Sequence, residues 1–403
     1  MTTTDADRTT TPADARDAAA AVHTRAVRRK LIENSVTLLV FLALFGAFGV
    51  WLGGSFLNVD GRLLDVHQNV PTLLLALAVL VTLVPGQFDL SVAGMATLGC
   101  FLSIGLTVQN GWPMWVAIAA TLAVGVFLGL VNGLLVEVLN VNAFIATLGT
   151  GAICAGASAV YSGGTLVQAG SEGPQLPLWF SSFATFSNAA PAWLIALVLI
   201  AGLAKLFFSF DHVRPAKWSS GVWLAVKIAG ILLIAVVLIF VLQLPAWISS
   251  VSWLIFILLL VAFLMWVLLQ NTTYGRHIQA IGSNRSAALL AGVNVRRQVM
   301  KSFILGSTIA ALAGVLLGAS QGSASPDIAA SFLLPAFAAA FLSTVILSDG
   351  RFTVLGTILG GVFVIWVGLG LILGGLPATW LSVVNGVVLI AAVALSTALR
   401  RSR

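Results

Sequence analysis

Apolar runs of about 20 residues recur along this chain from Val36 to Leu399, and only 8% of its 403 residues are charged. A run of this length is what an α-helix needs to cross the hydrocarbon core of a bilayer. The mean hydropathy of +1.06 is typical of a chain whose surroundings are mostly lipid. The sequence therefore predicts an all-α, polytopic integral membrane protein.

The apolar runs predict about twelve transmembrane segments, within a range of about 10–12. The predicted spans cover residues 35–57, 71–85, 91–108, 113–137, 143–161, 191–210, 220–242, 246–269, 302–320, 331–348, 353–373 and 378–398.

The basic residues predict the orientation of these spans. With the N-terminus in the cytoplasm, the inner side receives the following basic positions: the cluster 25–30, Lys205, Arg214, Lys217, the loop 272–301, Arg351 and the C-terminal arginines. Of the 20 Lys and Arg residues, only Arg62 then lies outside, and Lys227 lies inside a span from which it can reach the interface. This asymmetry agrees with the positive-inside rule, and the inverted arrangement violates it nearly everywhere. We therefore predict a multi-pass protein of the cell membrane with both termini inside.

Residues 1–30 are predicted to form a disordered cytoplasmic tail, and residues 31–403 a single membrane domain. The net charge of +7 does not indicate nucleic acid, because the basic residues follow the sides of the membrane. Cys100 and Cys154 both lie in apolar runs, so neither a disulfide nor a metal site is predicted. The chain has no phosphate-binding loop of the G-x-x-x-x-G-K-[ST] type and no catalytic set within its spans. We predict no catalytic residues, no bound metal and no cofactor bound by this chain.

The stretch "LVPGQFDLSVAG" interrupts the apolar pattern. Pro85 and Gly86 break a helix just before Asp89 and Ser91, which are residue types that cap helix N-termini. One interpretation is structural, with Asp89 or Ser91 accepting hydrogen bonds from the free amides of the next span. The other is that the broken helix and its carboxylate line a translocation path or support its inner gate. We favour capping, and the two roles are compatible.

A second stretch with polar residues that interrupts the apolar pattern is "LNVNAFIATLGT". Asn142 is placed to cap the helix that follows, and that helix carries Thr147, Gly149 and Thr150. Small residues at helical spacing usually mark close helix packing in lipid. We therefore favour packing over direct substrate contact.

The third place is the polar segment 272–302, which holds five of the 20 Lys and Arg residues. Ser283 or Asn284 can cap a short helix over 285–291, and Gly292 can end it in the left-handed conformation. An isolated helix of about two turns is marginal in water, so something must cover its apolar face. The residues alone leave two alternatives equally open, a helix lying on the protein's own inner surface and a helix docked on a partner.

Three motifs resemble one known family, the permease subunits of ABC importers for simple sugars of the ribose, xylose and galactose type. "AIGSNRSAALLAGVNV" resembles the family's cytoplasmic coupling loop, "GQFDLSVAG" its GGIDLSVG segment and "NAFIATLGT" its PFIVTLGT segment. The likeness runs in register from about residue 35 to the C-terminus, and the layout is most similar to xylose-type permeases.

The resemblance implies partners and roles. Two permease subunits, a homodimer in our prediction, form the pore in the lipid bilayer, an ABC ATPase subunit uses ATP and Mg on the inner side, and an extracytoplasmic sugar-binding protein delivers the sugar to the outer loop 162–190. No nucleic acid is implied. The residues implied to couple to the ATPase are Gly282, Asn284, Ala287, Ala288, Gly292 and Val293. The residues assigned to the translocation path or gate are Asp89, Leu90, Ser91, Asn142, Phe144, Thr147 and Gly149.

The sequence departs from the family pattern at Gln87, which replaces a glycine, and at Arg285 and Ser286, where relatives often have acidic residues. If Ala288 docks on the ATPase, Ala288→Asp is expected to abolish uptake at near-normal abundance.

Two other classes of transporter are alternatives. A permease for nucleosides or branched-chain amino acids is a related alternative. Among sugars, a pentose such as xylose or ribose is predicted, and only the likeness of the layout to xylose-type permeases favours it. An ion-coupled secondary transporter is disfavoured, because the predicted spans hold no acidic residues apart from Asp89 near a helix start and Glu137 near the inner end of its span.

Overall fold

The computed structural model describes residues 43–170, 174–195, 197, 200, 219–236, 248–346 and 351–401. The helices are α1 (Ala43–Leu52), α2 (Gly54–Leu57), α3 (Val59–Gln68), α4 (Val70–Leu83), α5 (Ser91–Val108), α6 (Met114–Glu137), α7 (Ala143–Ser162), α8 (Leu178–Phe183), α9 (Ser220–Val236), α10 (Trp253–Asn271), α11 (Thr273–Ser283), α12 (Arg285–Leu290), α13 (Val295–Gln321), α14 (Leu333–Ile346), α15 (Val354–Leu373) and α16 (Leu381–Arg401). Two strands, β1 (Val167–Gln168) and β2 (Ser323–Ala324), pair antiparallel with Val167 opposite Ala324. The predicted all-α class is confirmed.

Within the described residues, seven helical segments are long and apolar enough to cross a membrane, namely α5, α6, α7, α10, α13, α15 and the segment Ala378–Thr397. The pair α3–α4 passes the same test as one span bent by 56°, and three apolar helices are shorter: Ala43–Leu52, Gly221–Gly230 and Ala330–Val345. The count of twelve and the cytoplasmic location of both termini stay predictions. The predicted tail 1–30 and most of the predicted span 191–210 lie outside the described residues.

Helix α4 lies at the centre of the fold. All of its 14 residues are buried, as expected for the sequence "VPTLLLALAVLVTL", which is apolar on every side. At 1.5 Å per residue it is about 21 Å long, shorter than the roughly 30 Å hydrocarbon core. Helix α4 therefore needs the bent partner α3 to complete a crossing, and it ends at the loop 84–90, in which Asp89 is buried.

The longest helix, α13, packs against α4, α5 and α6, and α14 packs against α4, α15 and α16. Helix α13 begins at Val295, seven residues before the predicted span 302–320, and contains that span whole. The side chain of Asn294 accepts a 3.0 Å hydrogen bond from the amide of Arg297 and caps the helix. The first two turns of α13 are thus part of the polar segment rather than of an apolar run.

The polar segment contains two helices before α13, where the sequence predicted one. Helix α11 begins after Thr272, whose hydroxyl accepts a 3.2 Å bond from the amide of Gly275. It buries Ile278 and Ile281 on one face. The glycine in its first turn is a poor helix former, which explains why propensity alone did not predict this helix.

Candidate functional site

The loop 84–90 between α4 and α5 is the first part of the site. Gly86 has a φ of 87°, which allows the chain to reverse after α4. Asp89 is fully buried, and its Oδ1 accepts a 2.9 Å bond from the amide of Ser91 and a second bond from the Ser91 hydroxyl. The N-cap residue of α5 is Leu90, and the predicted hydrogen bond from a free amide at the start of this helix is accepted by Asp89, one position earlier. No described group donates to the second oxygen, Oδ2.

The two predicted gate motifs meet at this loop. The hydroxyl of Thr147 in α7 accepts a 3.1 Å bond from the amide of Leu90 and donates a 2.7 Å bond to the carbonyl of Ala143. Asn142 caps α7 as predicted, with its Oδ1 accepting a 2.9 Å bond from the amide of Phe144. Residues more than fifty positions apart are thus joined by hydrogen bonds between the loop 84–90 and the start of α7.

Asn132, which was not among the predicted site residues, links three helices at this point. Its amide nitrogen in α6 donates to the Ser91 hydroxyl at 2.9 Å, and its Oδ1 accepts from the Thr150 hydroxyl of α7 at 2.7 Å. The side chain is fully buried. A lone amide in the apolar run "GLVNGLLVE" was the available signal, since polar groups inside a membrane protein are costly unless they are paired.

The residues predicted on α7 fall on two different faces. Thr147 is buried against the loop 84–90, and the backbone of Gly94 in α5 approaches the carbonyl of Gly151 closely. Phe144 and Gly149 are exposed, and no atom lies near the position that a Gly149 side chain would take. The predicted role in packing therefore applies to the face with Thr147, while Phe144 and Gly149 lie on a face that the chain itself leaves uncovered.

The short helix α12 has the predicted ends. The side chain of Asn284 accepts a 2.9 Å bond from the amide of Ala287, and Gly292 has a φ of 83°. The amide of Val293 donates to the carbonyl of Ala288 at 3.0 Å, which closes the helix in a Schellman-type turn. These contacts give a rigid helix of six residues.

The prediction that Ala288 faces a partner was wrong. Ala288 is 4% exposed, and it belongs to an apolar cluster with Val136, Ala146 and Val299 of the same chain. Ala288→Asp would therefore place a carboxylate in the protein's own core, and it cannot separate docking from folding. The exposed large apolar side chains of α12 are Leu289 at 62% and Leu290 at 90%.

The polar segment contacts the loop 84–90 directly. A side chain at Gly282 would overlap the carbonyl oxygen of Val84, so only glycine allows α11 to lie against the end of α4. At the other end of α11, the Tyr274 hydroxyl makes a 2.8 Å bond with the Ser302 hydroxyl of α13. Burial raises the pKa of Tyr274 to about 12, so this phenol stays neutral. Motion of α11 is thus linked to both the loop and α13.

A bidentate ion pair joins α12 to α6. Arg285 donates from Nη1 to Glu137 Oε1 at 3.0 Å and from Nη2 to Oε2 at 2.7 Å. Among the described residues, no group of three or more His, Cys, Asp or Glu side chains is placed to hold a metal ion.

Comparisons with known proteins place this geometry in context. The family described as branched-chain amino acid transport system, permease component, matches residues 66–393. The chain is 27% identical to the xylose transport system permease protein of Haemophilus influenzae, with 91% of this chain and 96% of that protein covered. It is 25% identical to the fructose import permease protein of Rhizobium meliloti, with 91% and 86% covered. It is 26% identical to the autoinducer 2 import system permease protein of an Enterobacter species, with 93% and 90% covered. No solved structure matches the chain.

Proposed function

The chain belongs to the family of branched-chain amino acid transport system permease components, membrane subunits of ABC importers, and we propose that it forms the translocation path for a monosaccharide. As a member of this family it is a transport subunit rather than an enzyme, and it is a multi-pass protein of the cell membrane.

The proposal of a monosaccharide rests on similarity over nearly the whole chain to permeases named for xylose and fructose. A pentose such as xylose or ribose is our first candidate, because the xylose permease has the highest identity of the three relatives. A branched-chain amino acid is the second candidate, since the family's description names it.

Coupling to a separate ATPase subunit through α12 is the second part of the proposal. Leu289 and Leu290 are large, exposed apolar side chains on a helix that is capped at both ends. Exposed apolar side chains grouped together mark protein or membrane interaction sites. ATP and Mg would bind to the partner, because this chain lacks a phosphate-binding loop.

The uncovered face of α7 supports a second permease subunit, which we propose to be another copy of this chain. Phe144, Ile145 and Leu148 are exposed along this face, together with Gly149.

The segment 162–190, which follows the end of α7, presents exposed Leu178 and Trp179 on α8. We propose that this segment receives the extracytoplasmic sugar-binding protein.

The cargo is tested with the permease, its ATPase and its binding protein reconstituted in liposomes that contain ATP and Mg on the ATPase side. Radiolabelled xylose, ribose, fructose and leucine are offered in parallel. We expect ATP-dependent uptake of a monosaccharide and none of leucine. Uptake of leucine alone, or sugar uptake driven by an ion gradient without ATP, would show that the proposed function is wrong.

The docking surface is tested with Leu290→Asp. We expect the ATPase to stop co-purifying with this variant while its abundance stays normal, because Leu290 has little contact with its own chain. Each 1.4 kcal/mol lost at an interface lowers affinity about tenfold, and an unpaired carboxylate buried in an apolar contact costs several kcal/mol, so co-purification should fall strongly. Leu139→Asp is the matched control, since Leu139 is also exposed at the same side but lies outside α12. Normal co-purification with Leu290→Asp would contradict docking through α12.

A further inference from the structure

The ion pair between Arg285 and Glu137 is not explained by docking. Arg285 is the first residue of α12 and Glu137 is the last residue of α6. A cation at a helix N-terminus and an anion at a helix C-terminus are both opposed by the helix dipole. Neither charge therefore stabilises its own helix, and the two charges are favourable only with respect to each other.

The geometry of the pair makes it a rigid link. Each of the two terminal guanidinium nitrogens donates to a different carboxylate oxygen. The Glu137 side chain is 3% exposed, while that of Arg285 is 52% exposed. A bidentate pair fixes orientation as well as distance. A buried carboxylate that lost its partner would be left uncompensated, so α6 and α12 are held together at this point.

Helix α6 continues the link into the buried hydrogen-bond network. Asn132 lies five residues before Glu137, about 7.5 Å along the helix axis. Its amide bonds to Ser91 and Thr150, and the Ser91 hydroxyl bonds to Asp89. Displacement of α12 would thus be transmitted through Glu137 and α6 to the start of α5 and α7, where the two gate motifs meet.

We propose that Arg285 and Glu137 are positioning residues for transport, which make α6 follow α12 when the ATPase moves, and that neither residue binds the ATPase. This inference rests on the proposed function. It assigns the coupling to a pair inside this chain, whereas docking belongs to the exposed leucines of α12.

The test compares Glu137→Gln, Arg285→Gln and the double variant in the reconstituted importer. Three quantities are measured: ATPase co-purification, ATP hydrolysed, and sugar transported per ATP. Glu137→Gln is nearly isosteric and leaves no buried charge, and the double variant leaves neither charge. Thermal melting of each variant in detergent reports folding separately. Arg297→Gln is the matched control, because it removes an exposed arginine of the same segment outside the pair.

We expect all three variants to bind the ATPase normally and to transport on the order of tenfold less sugar per ATP, a typical size for coupling between sites. The double variant should be no worse than either single variant, because both break the same contact. Arg297→Gln should behave as wild type.

Two results would overturn the inference. One is loss of ATPase co-purification with Arg285→Gln but not with Glu137→Gln, which would mean that Arg285 contacts the partner directly. The other is unchanged sugar per ATP in the double variant with normal melting. Failure of the proposed function is distinct, because wild-type protein would then show no ATP-dependent sugar uptake at all.

Discussion

At the scale of single residues, the site depends on a few buried polar side chains in an apolar surrounding. Asp89, Asn132 and Thr147 each satisfy a backbone amide or a hydroxyl that lipid and apolar side chains could not satisfy. Their identity as polar residues was visible in the sequence. Their partners were not, because Leu90 and Thr147, for example, lie 57 positions apart.

Two substitutions at Asp89 separate the effect of its hydrogen bond to the helix start from the effect of its charge. Asp89→Asn keeps an oxygen that can accept from the Ser91 amide and removes a fully buried charge. We expect this variant to melt at or above the wild-type temperature and to retain uptake. Asp89→Ala leaves the amide without an acceptor and should lose about 1–3 kcal/mol of stability.

Melting curves in detergent and uptake in the same cells decide between the two roles of Asp89. If Asp89→Asn melts normally but no longer supports uptake, capping is not the main role, and the carboxylate serves the translocation path.

At the scale of elements, the polar segment is attached to the membrane helices at four places. Gly282 lies against the end of α4, Tyr274 bonds to α13, Ala288 packs into the apolar cluster and Arg285 binds α6. Two short helices would be marginal alone, and these contacts explain why they are ordered. The segment is therefore a rigid part of the fold rather than a mobile loop.

Two glycines of this segment should respond differently to substitution. Gly282→Ala meets the Val84 carbonyl, a backbone atom that cannot rotate away, so we expect lower stability and separation of α11 from the loop 84–90. At Gly292 no atom lies within 4 Å of an added Cβ, and only its φ of 83° is restrictive.

Gly292→Asn should therefore be nearly neutral, because asparagine tolerates this conformation, whereas Gly292→Val should cost about 1–2 kcal/mol. Melting temperatures of the three variants measure the difference. Equal effects of Gly282→Ala and Gly292→Asn would contradict the close contact between α11 and α4.

At the scale of the whole molecule, α4 and α13 form the centre around which the other helices pack. Helix α16 and the outward face of α7 are largely exposed, and exposed apolar helix surface in a membrane protein faces lipid or another subunit. This arrangement fits a permease subunit that pairs with a second copy.

The orientation in the membrane is tested by reporter fusions after Lys30, within residues 162–190 and after Arg403. We expect cytoplasmic signals from the first and third fusions and an external signal from the second, because basic residues favour the inner side. Equal expression of the three fusions is the control. An external C-terminus would require an odd number of crossings and would contradict the model with about twelve spans.

The sequence by itself determined the class of the fold, the helix caps and the family. Apolar runs, cap residues such as Asn142 and Asn284, and glycine at position 292 act locally, so their effects can be predicted from neighbours along the chain. The tertiary structure alone decided that Ala288 faces inward, that Asn132 joins three helices and that Arg285 binds Glu137. Those facts depend on which helix faces lie against each other. Long-range packing decides this, because in a chain that is apolar nearly everywhere hydrophobicity does not distinguish one face of a helix from another.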